Sequence, residues 1–240
     1  MASSPPRPLR ILCIHGYCQN AGTFREKTGA LRKALKRHAE LVYINAPHQI
    51  GHRGPSGSAP AAPLPSDPAS PSAAPGGPGE DGRGWWFSDP RDRSFSAEES
   101  CASDLGLDES LEAVRRAVGE RGPFDGVLGF SQGAALVAML CARQERGQEP
   151  GPGFRFAVLV AGFRSRCAGH APLYTAPPLG LPTLHVLGDS DRVIPAPLSR
   201  DLLPVFRDPV VVTHPGGHYV PAGAAQKQAY IQFLEQFTSS

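Results

Sequence analysis

The sequence predicts an α/β fold, a mainly parallel sheet with helices covering both faces. Three observations carry this. Apolar runs such as "FRFAVLVAG" and "LPTLHVLG" lack the alternation of a half-exposed strand, as expected where both sheet faces are covered. Segments with apolar residues at helical spacing alternate with those runs along the chain. In "DGVLGFSQGAALVAML", residues 125 to 140, a strand-like run passes into a helix-like run across one serine flanked by glycines.

The elements follow in order. "LRILCIHG" reads as a buried strand, followed by a helix over Phe24 to Lys36 in which Phe24, Leu31 and Leu35 share one side. The basic residues of "FREKTGALRKALKR" then fall on the opposite side, a solvated face rather than a binding patch. "ELVYINAP" is a second strand. Leu107, Leu111, Val114 and Val118, spaced by four, three and four, mark the next helix. "FDGVLGF" is a strand that leads into a helix from Gln132 to about Arg143. After "FRFAVLVAG" and "LPTLHVLG" comes a last strand, "DPVVVTH". Tyr230, Phe233, Leu234 and Phe237 give a closing amphipathic helix.

Residues 51 to 84 differ in kind, being almost all Gly, Pro, Ala and Ser. Such a composition cannot bury enough apolar surface to offset the entropy of ordering it. It predicts a disordered loop insertion within a single domain spanning residues 1–240, a length common for one α/β domain.

A net charge of +2 gives no general attraction to nucleic acid, and no apolar run is long enough to span a bilayer. The five cysteines are odd in number, without a C-x-x-C pair, and several sit inside apolar runs. They favour a reducing compartment. "MASSPPRPLR" has no apolar stretch behind its charges, so the expected location is cytoplasmic. Nothing legible specifies an oligomeric state.

Ser131 lies at the abrupt turn of the 125–140 stretch, with Gly129 and Gly133 two residues to either side. A side chain at either position would crowd so tight a turn. The geometry lifts the hydroxyl off the carboxyl end of a strand and sets it at a helix N-terminus, where free N–H groups stabilise an oxyanion. This is the G-x-S-x-G nucleophile-elbow pattern in its strand–turn–helix context. On those five residues alone, a serine that caps the helix competes evenly.

A serine needs a base, and the base needs a group that fixes its tautomer. "GDSDRVIP" and "THPGGHYVP" follow later strands in the order Ser, acid, His, on the same edge of the sheet. Asp189, next to a strand end, suits bracing of its own loop, and Asp191 sits better to reach across. His214 ends a strand, whereas His218 follows two glycines in a loop. The favoured set is Ser131, Asp191 and His218. His185 reads as a core histidine, and His15 in "CIHGYC" as a residue that orders its own turn. The N–H groups of Gln132 and Tyr17 are the expected oxyanion donors, although Tyr17 also suits plain wall packing. No H-E-x-x-H, no paired metal-ligand spacing and no G-x-G-x-x-G after a strand is present, so neither metal nor cofactor is expected.

With these residues in place the chain resembles the family of serine hydrolases, small members of the α/β-hydrolase fold. The resemblance rests on "LRILCIHGYCQN", "FREKTGALRKAL", "GWWFSD", "GPFDGVLGFSQGAAL", "LHVLGDSDRVIP" and "GGHYVP", and covers most of the chain outside residues 51 to 84. It implies a charge-relay triad of Ser131, Asp191 and His218 and carboxylic ester hydrolysis without metal or cofactor, on acyl chains. The substrate expected is a small-molecule acyl ester. The aromatic supply near the site, Trp85, Trp86, Phe130, Phe163 and Tyr219, is the candidate acyl pocket. For the adjacent tryptophans core packing is the favoured reading over pocket lining. The connector between Gly162 and Leu181 is too short for a large lid. An acyl thioesterase, using the same triad, and a non-catalytic binding protein on the same fold are the rival readings.

Overall fold

The computed structural model describes residues 7–50, 81–148, 152–175 and 177–238. Its central sheet has six strands, all parallel: β1 (Leu9–Ile14), β2 (Ala39–Ile44), β5 (Gly126–Phe130), β6 (Phe156–Val160), β7 (Thr183–Gly188) and β8 (Val210–His214). Their order across the sheet is β2-β1-β5-β6-β7-β8. The chain winds outward from β1 to one edge and then from β5 to the other. The crevice between β1 and β5 is therefore the switch point at which such sheets bind ligands. Ile14 is in register with Gly129, so the turns after β1 and β5 leave the sheet side by side.

Helices flank the sheet. The stretch read as one helix from Phe24 divides into α1 (Ala21–Lys27) and α2 (Gly29–Leu35). The break has a local cause. The Thr28 hydroxyl is 2.7 Å from the Phe24 carbonyl and 2.6 Å from the Tyr43 hydroxyl, so it ties the chain to β2 rather than letting it run on. Phe24, Leu31 and Leu35 still face the core, leaving the charged residues outside as expected. Helix α3 (Leu107–Arg121) buries Leu107, Leu111 and Val114, and α4 (Gln132–Glu145) follows β5 after a single residue. From Gln132 to Ala142 every residue of α4 is buried, which makes it the central helix of the molecule. Helices α5 (Ala196–Leu202) and α6 (Ala224–Glu235) complete the set, and Tyr230, Phe233 and Leu234 are the buried side of α6.

The insertion read from sequence over residues 51 to 84 falls for the most part, at 51–80, outside the described residues. Its last four residues are a correction. Arg83–Gly84 (β4) pairs antiparallel with His48–Gln49 (β3), and Asp81 accepts from the side chains of Gln49 and Arg83, each at 2.9 Å. Arg83 and Asp81 supply polar contacts that a count of Gly, Pro, Ala and Ser does not register.

The glycines at the β5–α4 turn are required by contact. A Cβ on Gly129 would lie 2.5 Å from the Gly133 carbonyl oxygen and 2.6 Å from the Ala134 Cα. One on Gly133 would run into the carbonyl oxygens of Ile14 and His15. These are backbone atoms on both sides, so neither can move aside. Gly119, on the exposed side of α3, has nothing within 4 Å of a built Cβ. Gly133→Ala is therefore expected to lower the melting temperature sharply, by about 3 kcal/mol or more of stability. Gly119→Ala is expected to raise stability by roughly 0.5–1 kcal/mol through helix propensity alone. Thermal unfolding of the two variants checks both signs.

Candidate active site

Ser131 occupies the one-residue turn between β5 and α4 with φ 55° and ψ −121°. A non-glycine residue in that region carries about 1–3 kcal/mol of strain, which persists only where its surroundings over-determine it. The surroundings do so here: its N–H donates to the Val160 carbonyl (2.9 Å) and its carbonyl accepts from Ala134 and Ala135. No side-chain hydrogen bond caps the helix at this position, so the capping alternative for Ser131 is not realised.

Asp191 and His218 meet directly. Asp191 Oδ2 is 2.7 Å from His218 Nδ1, and Asp191 Oδ1 accepts from the N–H groups of Val193 and Ile194, each at 2.8 Å. Both carboxylate oxygens are thus committed, and the buried side chain has one orientation. The His218 ring lies over Phe130, the residue before Ser131, with centroids 4.6 Å apart. Nδ1 is held by Asp191, so Nε2 is the ring nitrogen left over. The two rejected candidates sit elsewhere. Asp189 is exposed and donates its N–H to the His214 carbonyl. His214 is buried against Tyr219 (4.9 Å), and its Nδ1 has no partner among the described residues.

The turn after β1 comes up against the elbow at Gly16. A Cβ there would stand 3.3 Å from Ser131 Cβ and 3.1 Å from the Phe130 ring. The Gly16 N–H donates to Gln19 Oε1 (3.0 Å) and the Cys18 N–H to the Arg83 carbonyl (2.9 Å). Between them the Tyr17 N–H has no acceptor among the described residues. Gln132, as the first residue of α4, has no intrahelical acceptor for its own N–H.

His15 sets the direction of that turn. The Ala46 N–H donates to His15 Nε2 (3.0 Å), so Nε2 carries the lone pair and Nδ1 the proton. Nδ1–H then donates to the Gly16 carbonyl at 2.8 Å. In a trans peptide the carbonyl and the next N–H point opposite ways, so fixing the Gly16 oxygen fixes the Tyr17 N–H.

Comparison with known proteins accords with this geometry. The family model described as "Serine hydrolase (FSH1)" matches residues 3–230. The chain belongs to the FSH1 serine hydrolase family. Among its relatives, the protein named Esterase OVCA2 of Danio rerio is 55% identical over 230 residues, covering 96% of this chain and 98% of that one. The human protein of the same name is 47% identical over 238 residues, covering 96% and 97%. Among solved structures, Zea mays acyl-protein thioesterase 2 superposes with a TM-score of 0.62 at 18% identity, covering 98% of this chain and 96% of that one. Esterase PE8 superposes with a TM-score of 0.58 at 16% identity, covering 98% of each chain. At those identities the structural likeness shows the shared α/β-hydrolase fold.

The aromatic residues of this serine hydrolase bring out the favoured core reading of the two tryptophans, against their place in the candidate pocket, and add a residue. Trp85 and Trp86 are 0% and 1% exposed, core residues rather than groove wall. Their backbone is clamped by the Gln132 side chain: Trp85 N–H donates to Oε1 (3.0 Å) and Nε2 donates to the Trp86 carbonyl (2.8 Å). Trp85 Nε1–H donates to the His15 carbonyl (2.8 Å), and the Ser110 hydroxyl donates to the Trp85 carbonyl (2.5 Å). Phe130 and Phe163 are also buried, and Tyr219 is half-buried. The residue that sequence reading missed is Phe95. Half-buried, it touches Tyr17 (5.5 Å between centroids), Trp86 (5.2 Å) and Phe163 (6.0 Å). Its setting, "RDRSFSAEES", is polar and aperiodic, so nothing in the sequence marks it.

All five cysteines are free thiols, and no helix among the described residues is long and apolar enough to cross a membrane. Two buried histidines give the serine hydrolase a specific acid sensitivity. Burial pushes His15 from its ordinary 6.5 down to about 4, and does the same to His185, which contacts the Thr183 hydroxyl at 3.1 Å. Both are neutral in the folded state, so the unfolded chain binds more protons between about pH 6.5 and 4. Stability should be fully present above that window and fall through it as pH drops, at about 1.4 kcal/mol per pH unit for each ring. A melting temperature that stays level across the window contradicts this.

Proposed function

We propose that the chain is a serine carboxylesterase acting on straight-chain acyl esters of medium to long chain length, in the cytoplasm, through Ser131, His218 and Asp191. The observation that carries the reading is the 2.7 Å contact between Asp191 Oδ2 and His218 Nδ1 on the edge of the sheet that carries the strained Ser131 elbow. A buried carboxylate with both oxygens engaged orients an imidazole, and an oriented imidazole makes a serine hydroxyl a nucleophile. The names of the vertebrate relatives, which print "esterase", favour ester over thioester chemistry.

The steps follow from the atoms. Ser131 Oγ attacks the ester carbonyl while His218 Nε2 takes its proton, and Asp191 stabilises the imidazolium that forms. The carbonyl oxygen, now an anion, is held by the N–H groups of Tyr17 and Gln132. His218 returns the proton to the departing alcohol, which leaves an acyl-enzyme. A water deprotonated by the same ring attacks the acyl carbon, and the acid leaves with Ser131 restored.

A fluorophosphonate probe tests the assignment without knowledge of the substrate. Ser131→Ala should abolish labelling and lower kcat by several orders of magnitude, and His218→Ala should do the same. Asp191→Asn should lose far more activity than Asp189→Asn, because only the former disturbs the imidazole tautomer. Retained turnover in Ser131→Ala would falsify the mechanism. Matched oxygen esters and thioesters of one acyl group separate the esterase from the thioesterase.

Acyl preference follows from the apolar surface beside the elbow. The nearby cation Arg164 is occupied by the Asp201 carbonyl (2.7 Å) and carboxylate (3.4 Å), so it does not await a charged substrate. Phe95 and Phe163 supply the wall that Trp86 does not. Each methylene bound along it contributes up to about 0.8 kcal/mol to transition-state affinity. kcat/KM for p-nitrophenyl esters should rise from acetyl to medium or long straight chains and fall for branched acids. Phe95→Ala should flatten the rise while sparing acetate hydrolysis. Trp86→Ala should instead lower stability, by about 3–5 kcal/mol, and all substrates together. A profile that peaks at acetate removes the acyl-groove reading and leaves the esterase standing.

A further inference from the structure

A cluster of ligating side chains lies outside the machinery just described. Residues 101 and 167 come together in an isolated parallel bridge: the Cys101 N–H donates to the Arg166 carbonyl (3.3 Å) and the Ala168 N–H to the Cys101 carbonyl (2.9 Å). The bridge brings the two cysteines to paired positions. Three residues after each cysteine comes a second ligand, Asp104 on one strand of chain and His170 on the other, with Asp104 Oδ2 and His170 Nε2 3.1 Å apart. One ligand atom from each of Asp104, Cys167 and His170 lies within 4.8 Å of the other two. A tetrahedral zinc ion with bonds of about 2.0–2.3 Å needs its ligand atoms roughly 3.3–3.8 Å apart. These three atoms are therefore within small side-chain rotations of that shape, and the Cys101 thiol, which donates to the Ser103 carbonyl (3.2 Å), completes it by turning away from that oxygen.

The imidazole is already oriented for the task. His170 Nδ1 is 2.7 Å from Ser165 Oγ, and that oxygen also accepts the Cys167 N–H at 3.3 Å. The edge of the buried ring also meets Trp86, with centroids 6.3 Å apart. A hydroxyl on Nδ1 that leaves Nε2 facing the other donors is the outer-shell arrangement by which metal-bound histidines are held. Two sulfurs, one imidazole nitrogen and one carboxylate oxygen form a donor set suited to zinc, and unsuited to magnesium or calcium, which take oxygen alone. Asp104, with a half-exposed side chain, gives the ion a way in.

We propose that Cys101, Asp104, Cys167 and His170 form a structural zinc site that clasps the loop carrying Phe95 to the connector carrying Phe163. Binding displaces the two thiol protons to solvent. The proton that Nε2 shares with Asp104 in the free ring passes to Nδ1, where Ser165 Oγ accepts its hydrogen bond, and Nε2 offers its lone pair to the metal. All four first bonds come from the protein, so the ion is closed to substrate and acts on the position of the two segments. The proposal stands apart from the esterase reading, since none of the four residues is used in hydrolysis.

The test uses the full-length chain, reduced, stripped with a chelator and titrated with cobalt(II) as the spectroscopic probe and then with zinc. One equivalent of cobalt should saturate a thiolate-to-metal band in the near ultraviolet and visible bands of tetrahedral intensity, and zinc should bleach both. Cys167→Ser should remove at least half of the ultraviolet band. Asp104→Asn and Ser165→Ala, which keep side-chain shape or remove one oxygen, should weaken zinc binding about 10- to 100-fold with the fold intact by circular dichroism. Cys18→Ser, an exposed thiol elsewhere, and Ser131→Ala should leave the titration unchanged. No saturable cobalt band, or a band indifferent to Cys167→Ser, overturns the proposal. So does protein isolated without reductant that holds a Cys101–Cys167 disulfide and, once reduced, binds no zinc.

Discussion

The structure turns on one close approach: the backbone of Gly133, in the first turn of α4, resting against the carbonyl oxygens of Ile14 and His15 at the end of β1. Any side chain at 133 would separate helix from strand, and with them the β1 turn from the elbow. Because they touch, Gly16 abuts Ser131, and the β1 turn and the start of α4 lie side by side. The strain at Ser131 is the other face of the same contact. Fixing a serine at φ 55° costs stability, and the cost is met by a helix buried from Gln132 to Ala142 that has nowhere else to go. A packed core holds the hydroxyl in place more firmly than a loop would.

Around that contact runs a short chain of buried polar atoms with no slack in it. Ala46 N–H fixes the His15 tautomer, His15 fixes the Gly16 carbonyl, and the His15 carbonyl takes the Trp85 indole N–H. Gln132 closes the circuit by holding the backbone of Trp85 and Trp86 with its side chain. In a low-dielectric interior each such bond is strong when made and expensive when broken, so the network has a single arrangement. Dipoles fixed before substrate arrives need no reorganisation when charge develops, and this is how an oxyanion site gains over water. Burial that keeps His15 neutral serves the same end, because a protonated Nε2 could not accept from Ala46 and the turn would lose its anchor.

What the sequence made legible is what periodicity and short spacing encode. The apolar runs marked every strand of the main sheet, and G-x-S-x-G between a strand and a helix marked Ser131 because turn, glycines and hydroxyl are contiguous. The preference for Asp191 and His218 came from loop position, and those are the side chains that pair. The misses share a cause. Thr28 breaks its helix through Tyr43, fifteen residues away. Gln132 matters through a side chain whose partners lie 46 and 47 residues back. Phe95 meets Tyr17, Trp86 and Phe163 by contacts that no spacing reveals, and the Cys101–Cys167 bridge joins residues 66 apart. Hydrophobic patterning tells which face of an element is buried, and says nothing of which distant element covers it.

Phe95 connects the two halves of this picture. Its ring touches Tyr17 on one side and Trp86 and Phe163 on the other, and the last two border the segments that meet at Cys101 and Cys167. Ser131 follows β5 directly, and the proposed acid and base, Asp191 and His218, lie in the short loops after β7 and β8, where one hydrogen bond joins them. The wall proposed beside them comes from residues 95–105 and 163–175, which are held to the body by bridges and ring contacts. On the proposed function, chemistry and acyl selection therefore rest on differently anchored parts of the chain. A clasp between those two segments would fix the spacing of Phe95 and Phe163 without touching Ser131. It would set the width available to an acyl chain and leave the proposed attack on its carbonyl unchanged, because the N–H groups proposed to hold that carbonyl belong to backbone that the β1–α4 contact already fixes.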